Sequence, residues 1–321
     1  MKKIVIFIAM LLIFSLHSSA SYGFDGPLQV RNQFPLFLYL NIPYLESASV
    51  ENSFSAGLSY SSLNLVESSS EWDIGLDMEI TELDLRFRKN IRDFIELGIE
   101  LPILSFSSGF MDGFLNSYHN AFGFPDYGRS NRPDNEFLYE VRKNGDLVVK
   151  GKNGHIGIGD IRLTFKKPLL NSDPAISIKG DIELPTGDAK AGYGNGSIDA
   201  GISVLMDKKL SEYFKSYLNI GAVFPGNLRG HKEIKLREFI YGGAAIEASF
   251  WKNISLIGQV FVQESPFPET DISSIDKAAV LLSLGGRYSC GNNNFEFSLT
   301  EDPNTSGAPD FTLNFSFKRI F

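Results

Sequence analysis

FTLNFSFKRIF, residues Phe311 to Phe321, carries Phe311, Leu313, Phe315, Phe317 and Phe321 at odd positions, interrupted by Arg319, and Thr312, Asn314, Ser316 and Lys318 at even ones. A period of two is that of a β-strand with one apolar and one polar face. A chain that stops on such a strand, with a bare aromatic at its end, suits a sheet closed on itself, because an open edge in lipid would leave amides unpaired. The expectation is a closing strand of an outer-membrane β-barrel, recognised by the barrel-insertion machinery through its terminal Phe321.

Working outward from this strand, segments of ten to fifteen alternating residues recur from Phe54 onward, separated by turn residues. Strands are predicted near 53–66, 72–88, 94–104, 155–167, 174–185, 196–207, 213–224, 239–251, 254–265, 277–290, 294–301 and 310–321. Short links at 89–93, 168–173, 208–212, 252–253 and 291–294 alternate with mostly longer ones at 67–71, 105–154, 186–195, 225–238, 266–276 and 302–309. The fold class is therefore all-β: a transmembrane, antiparallel, up-and-down barrel of about twelve strands, with ten or fourteen as alternatives. Phe165, Tyr213, Phe214, Phe250, Trp251, Tyr288, Phe295 and Phe321 gather beside the short turns, as an interfacial aromatic girdle would. In WDIGLDMEITELDLRF (72–87) the apolar positions switch parity near Thr81, which predicts a β-bulge.

The first residues, MKKIVIFIAMLLIFSLHSSASYGF, read as a signal peptide over 1–20, cleaved after Ala20 or Gly23. Residues 21–52 do not alternate cleanly. Counted as a strand, the stretch 24–47 would break the even number, so it is expected to lie in the periplasm or to fold into the lumen as a plug, with the barrel proper over 53–321. The full chain has a net charge of −8; without Lys2 and Lys3, 28 basic residues face 38 acidic ones, which argues against a nucleic-acid partner. The one cysteine, Cys290, permits no internal disulfide.

If the apolar faces meet lipid, the polar faces line the lumen. On the second strand these are Asp73, Asp77, Glu79, Glu82, Asp84, Arg86 and Arg88, with Glu96 and Glu100 on the third. Arg162 and Lys166, then Lys179, Asp181 and Glu183, follow on the fourth and fifth, and Glu247, Gln259, Gln263 and Arg287 later. Buried charges must pair or be wetted, so the lining is either a solute path or an ion-pair network filling a small barrel. The long loop 105–154 carries apolar residues at helical spacing (Phe110, Met111, Phe114, Leu115, Tyr118, Ala121, Phe122) and a hairpin signal at Asn144–Gly145. It is expected to form a lid with His119, Asp126, Arg129 and Arg132 as polar contacts, or to pack on the rim. GYGNGS (192–197) reads as a flexible extracellular loop. No cofactor or metal is expected, because His119, His155 and His231 have no second histidine at ligand spacing.

The segments GPLQVRNQFPL (26–36), LDMEI (76–80), IELGIELPIL (95–104), YHNAFGFPDYGR (118–129) and DFTLNFSFKRIF (310–321) together resemble the domain-of-unknown-function family 3187, a group of predicted Gram-negative outer-membrane barrels. The resemblance implies the outer membrane, with its lipid as surroundings, and no stated activity. GIGDIRLTFKKPL (157–169) and ELPTGD (183–188) are similar to patterns of small-molecule outer-membrane transporters. The leading reading is a gated channel or transporter for a small, partly hydrophobic solute. A membrane-embedded lipid hydrolase and a non-conducting structural or adhesion barrel stand as alternatives.

Overall fold

The computed structural model describes residues 25–38, 43–113, 117 and 133–321. The predicted leader, and His119, Asp126, Arg129 and Arg132, lie outside the described residues.

Twelve strands close into a ring. In chain order they are β1 (Ser53–Ser68), β2 (Trp72–Ile91), β3 (Ile95–Ser107), β7 (Ile161–Leu170), β8 (Ala175–Leu184), β9 (Asp199–Lys209), β10 (Phe214–Phe224), β13 (Phe239–Trp251), β14 (Ile254–Gln263), β15 (Ala279–Cys290), β16 (Asn293–Glu301) and β17 (Phe311–Ile320). Each pairs antiparallel with its neighbours, and β17 meets β1 from Ser53↔Ile320 to Ser62↔Phe311. This pairing accounts for the alternation of the last strand. Thr312, Asn314, Ser316 and Lys318 are buried inward, while Phe315 is half exposed on the outside.

Burial is inverted relative to a water-soluble sandwich. Arg287 and Glu247 are at most 2% exposed inside the ring, whereas Leu284 is 71% and Ile220 65% exposed outside it. Such an outer surface fits hydrocarbon, not water. The short turns carry the girdle: Tyr213, Phe214, Phe250 and Trp251 interlock, with ring centroids 5.3–6.0 Å apart.

Five shorter strands sit at the long-loop end: β4 (Leu138–Lys143), β5 (Asp146–Lys150), β6 (His155–Ile158), β11 (Leu228–Arg229) and β12 (Glu233–Ile234). The β4–β5 hairpin turns at Asn144 (φ 51°) and Gly145 (φ 79°), the two left-handed positions of a type I′ turn, and β4 extends the sheet beside the upper part of β2.

Three readings of the sequence change. The bulge near Thr81 is absent, since the β1–β2 and β2–β3 registers run without a shift. The even positions of β2 face inward throughout, and their neighbourhood changes instead. Trp72, Ile74, Leu76, Met78 and Ile80 meet an apolar core, while Glu82, Asp84, Arg86 and Arg88 meet ion partners. Second, the strand expected over 155–167 is broken at Gly159–Asp160. Here β6 pairs with the upper half of β3 and β7 with the lower half.

Third, the glycine-rich loop is packed rather than free. The buried Asp160 carboxylate accepts the N–H groups of Gly187 (2.7 Å) and Asn195 (3.0 Å), and burial holds its pKa above the usual carboxylate range. A Cβ on Gly187 would stand 2.3 Å from the Tyr193 carbonyl oxygen, so only glycine fits that approach.

At the same end, Asp302 caps its own turn by accepting the N–H of Asn304 (3.1 Å) and of Ser306 (2.7 Å). Burial, aided by nearby Asp310, pushes its pKa up to about 7. An acid whose folded pKa is raised binds a proton in the folded loop before it would in the unfolded one. Stability is therefore fullest below the ordinary aspartate pKa and declines as pH rises through about 4 to 7. Protection of the Ser306 and Gly307 amides against hydrogen exchange should fall over that window, and Asp302→Asn should flatten the profile.

Candidate functional site

Within 25–52, residues 25–38 and 43–52 run inside the barrel as the two arms of a hairpin, the first rising from the short-turn end to an apical turn, α1 (Pro35–Leu38), and the second descending to β1. Among the described residues, only the isolated bridge Arg31↔Tyr44 ties the two arms together by backbone pairing. Every other tie described below is a side-chain bond or an apolar contact with the inner wall.

The ascending arm is fixed at its foot. Arg287 Nη1 lies 2.5 Å from Glu247, Nη2 lies 2.6 Å from Glu296, and Nη2 also donates to the Gly26 carbonyl at 2.6 Å. Lys318 Nζ pairs with Asp25 at 2.6 Å, and Tyr217 donates to Glu247 at 2.6 Å. Higher on the arm, the Gln29 side-chain oxygen accepts from Arg86 (2.8 Å), and Arg31 and Gln33 both hydrogen-bond Glu82.

The descending arm presents Tyr44, Glu46 and Glu51 to a charged wall. Tyr44 donates to Glu100 and accepts from Arg88 (2.9 Å), and its ring lies 4.0 Å from the Arg86 guanidinium. Glu46 draws together Arg88 (3.1 Å), Lys166 (3.8 Å) and Lys179. Lys166 also meets Glu96 at 3.0 Å, Lys179 meets Asp181 at 2.9 Å, and Arg162 meets Glu100 at 3.4 Å. Glu183 stands opposite Arg162 in the β7–β8 register. Desolvation of one such charge is compensated only when several partners surround it, as they do Glu46.

Of the residues expected to line the lumen, Glu82, Asp84, Arg86, Arg88, Glu96, Glu100, Arg162, Lys179, Asp181, Glu183, Glu247 and Arg287 share the inward face and are buried. Asp77 and Glu79 do not belong with them. Their odd parity on β2 points them outward, yet both are buried, at 4% and 2% exposed. Glu79 receives Tyr60 Oη and the N–H groups of Phe110 (2.7 Å) and Met111. Met111 packs on Phe311, Tyr60 and Leu313, so the start of the long loop lies on the outer wall while its β4–β5 hairpin leans over the mouth. The sequence reading missed Glu46, Glu51, Lys318 and Glu296. Lys318 was detectable, because it occupies a polar position of the opening stretch.

Above the ion pairs the interior turns apolar. Phe34 pairs with Phe37 (ring centroids 4.8 Å apart), Phe37 adjoins Phe267, which in turn meets Trp72, and Phe106 stacks on Tyr193 and meets Tyr139 edge-on. Tyr139 Oη donates to the Pro35 carbonyl at 3.3 Å. A crevice of about 120 Å³ opens from outside onto Phe34, walled by Leu63, Glu67, Ser274 and Asp310. At the short-turn end a gap of about 20 Å³ lies between Asp25, Glu51, Arg88 and Lys166. Among the described residues no serine hydroxyl hydrogen-bonds His155 or His231, as the hydrolase alternative requires.

The family model described as "Protein of unknown function (DUF3187)" matches residues 4–321. No curated protein matches the sequence. Among solved structures, the COG4313 outer membrane channel from Pseudomonas putida F1 is similar with a TM-score of 0.57 at 15% identity, covering 88% of this chain and 98% of that one. That likeness bears on the fold alone. The NanC porin (TM-score 0.46, 7% identity, 84% and 98% covered) and the P. putida toluene transporter TodX (0.38, 9%, 84% and 90%) are more distant.

Proposed function

Since the chain belongs to the DUF3187 family, a grouping that specifies no activity, we propose from the architecture that it is a Gram-negative outer-membrane channel for a small solute, closed at rest by the hairpin 25–52. The observation that carries this reading is the manner in which the hairpin is held. It is bound to the wall by side chains and not by a strand ladder, so it can shift without breaking sheet hydrogen bonds. Water entering behind it would solvate the charges it releases. The apolar surroundings of Phe34 and Phe37 suit a solute with a hydrophobic part.

The filled interior favours a second reading, a barrel that never conducts. Single-channel recording in planar bilayers separates the two. The chain from residue 25 onward should open rarely, and a variant lacking 25–47 should conduct steadily. Should deletion fail to refold, Glu46→Gln with Asp25→Asn is expected to raise the opening frequency. Silence from every folded variant overturns the channel.

A further inference from the structure

The inner wall is not uniform around its circumference. Ion pairs crowd β2, β3, β7 and β8, and a second group sits at the foot around Arg287. Above Glu247 and Arg287, the inward residues of β13, β14 and β15 carry no charge. They are Tyr241, Gly243 and Ala245 on β13, Gln259, Phe261 and Gln263 on β14, and Ala279, Leu281, Ser283 and Gly285 on β15.

Two features of this panel are unusual for a dry interior. Gln263 is 1% and Gln259 7% exposed, yet among the described residues both side-chain polar atoms of Gln263, and the side-chain oxygen of Gln259, have no hydrogen-bond partner. Their cross-strand neighbours are mostly small: Gln259 faces Ala245 and Ser283, and Gln263 faces Tyr241 and Ala279. The hairpin is also held differently here. Leu45 sits against Gly243 and Leu28 against Gly285, where an added Cβ would stand 2.8 and 3.0 Å from the leucine methyls. These are apolar contacts, with none of the ion pairs that fasten the other side.

We infer that the solute passes between the hairpin and the β13–β15 panel, and that it is a neutral molecule bearing hydroxyl or amide groups, bound by Gln259 and Gln263. The inference rests on the channel reading and adds the route and the chemical class. The panel itself offers an ion no countercharge, and a plain hydrocarbon would leave the amides unsatisfied, a cost of about 1–3 kcal/mol per group. A neutral hydrogen-bonding solute meets neither cost. Withdrawal of Leu28 and Leu45 from their glycines opens the gap without breaking a salt bridge.

Cysteine accessibility tests this on the full chain from residue 25, with Cys290→Ser as background. Ser283→Cys and Ala245→Cys report the panel, and Thr164→Cys on β7 reports the charged wall. Each folded variant, identified by heat-modifiable gel mobility, is treated with methyl methanethiosulfonate and with its trimethylammonium-ethyl and sulfonatoethyl analogues. The neutral reagent should modify the panel cysteines faster than Thr164→Cys, and faster than either charged reagent by about tenfold or more. Gln259→Leu with Gln263→Leu should reduce protection of Ser283→Cys by added benzyl alcohol. Equal labelling of both walls, equal rates for charged and neutral reagents, or no labelling of the panel overturns the inference. Labelling reads access and bilayer recording reads conduction, so a silent bilayer with selective labelling condemns the channel and not the route.

Discussion

Arg287→Met should destabilise the folded barrel by about 3–5 kcal/mol, the cost of removing one partner from a buried ionic cluster. The guanidinium is 1% exposed and is shared among Glu247, Glu296, Asp25 and the Gly26 carbonyl. Its loss leaves carboxylates from two wall strands and the hairpin facing one another, with only Lys318 nearby on Asp25. Arg287→Lys should recover only part of the loss, since an ammonium cannot span partners on several sides as a planar fork does. Arg287→Met combined with Glu247→Leu should be less destabilised than Arg287→Met alone, because one stranded charge is gone. Urea unfolding followed by tryptophan fluorescence measures all three. An Arg287→Met barrel as stable as the parent would mean that water already solvates this cluster and that the foot of the hairpin is not anchored there.

Phe37→Ala should have an effect of similar size at the opposite end. Phe37 is fully buried between Phe34 and Phe267, beside Gly307. Truncating a buried phenylalanine costs about 3–5 kcal/mol. The loss falls on the apex and not on the sheet, whose ladders are unchanged. Limited proteolysis should therefore change from slow to rapid cleavage within 25–52 while the barrel core stays resistant, and brief openings should appear in bilayer recordings. If the hairpin remains as resistant as before, the ionic foot alone holds it, and the apolar cluster is packing rather than a latch.

The comparison of sequence with structure turns on parity. On β8 and β17 alternation gave both the strand and its faces, because charge on one side and isoleucine or phenylalanine on the other leave a single solution in lipid. On β2 the same rule failed. Trp72, Ile74 and Leu76 are apolar yet face inward, because the upper interior is itself dry, so hydrophobicity no longer distinguishes inside from outside. Glu79 was misplaced for the matching reason: an outward carboxylate is tolerated where a loop covers it and donates amides, and Asp77 shares its outward parity. The hairpin's contacts were beyond reach, since Glu46 and Tyr44 find partners far along the chain and their spacing carries no period. The Asn144–Gly145 turn was legible because its chemistry is local.

The unequal strand lengths carry a last consequence. β2 has 20 residues and β1 has 16, against 9 to 13 for the other strands of the ring. At roughly 3.3 Å per residue and a tilt of about 40°, 20 residues climb about 50 Å, twice the roughly 25 Å apolar band of a bacterial barrel. The ribbon capped by residues 69–71 therefore rises well past that band on one side, and there it serves as the scaffold to which β4 and the loop carrying Ser274 are tied, so the roof over the mouth hangs from a single pair of strands.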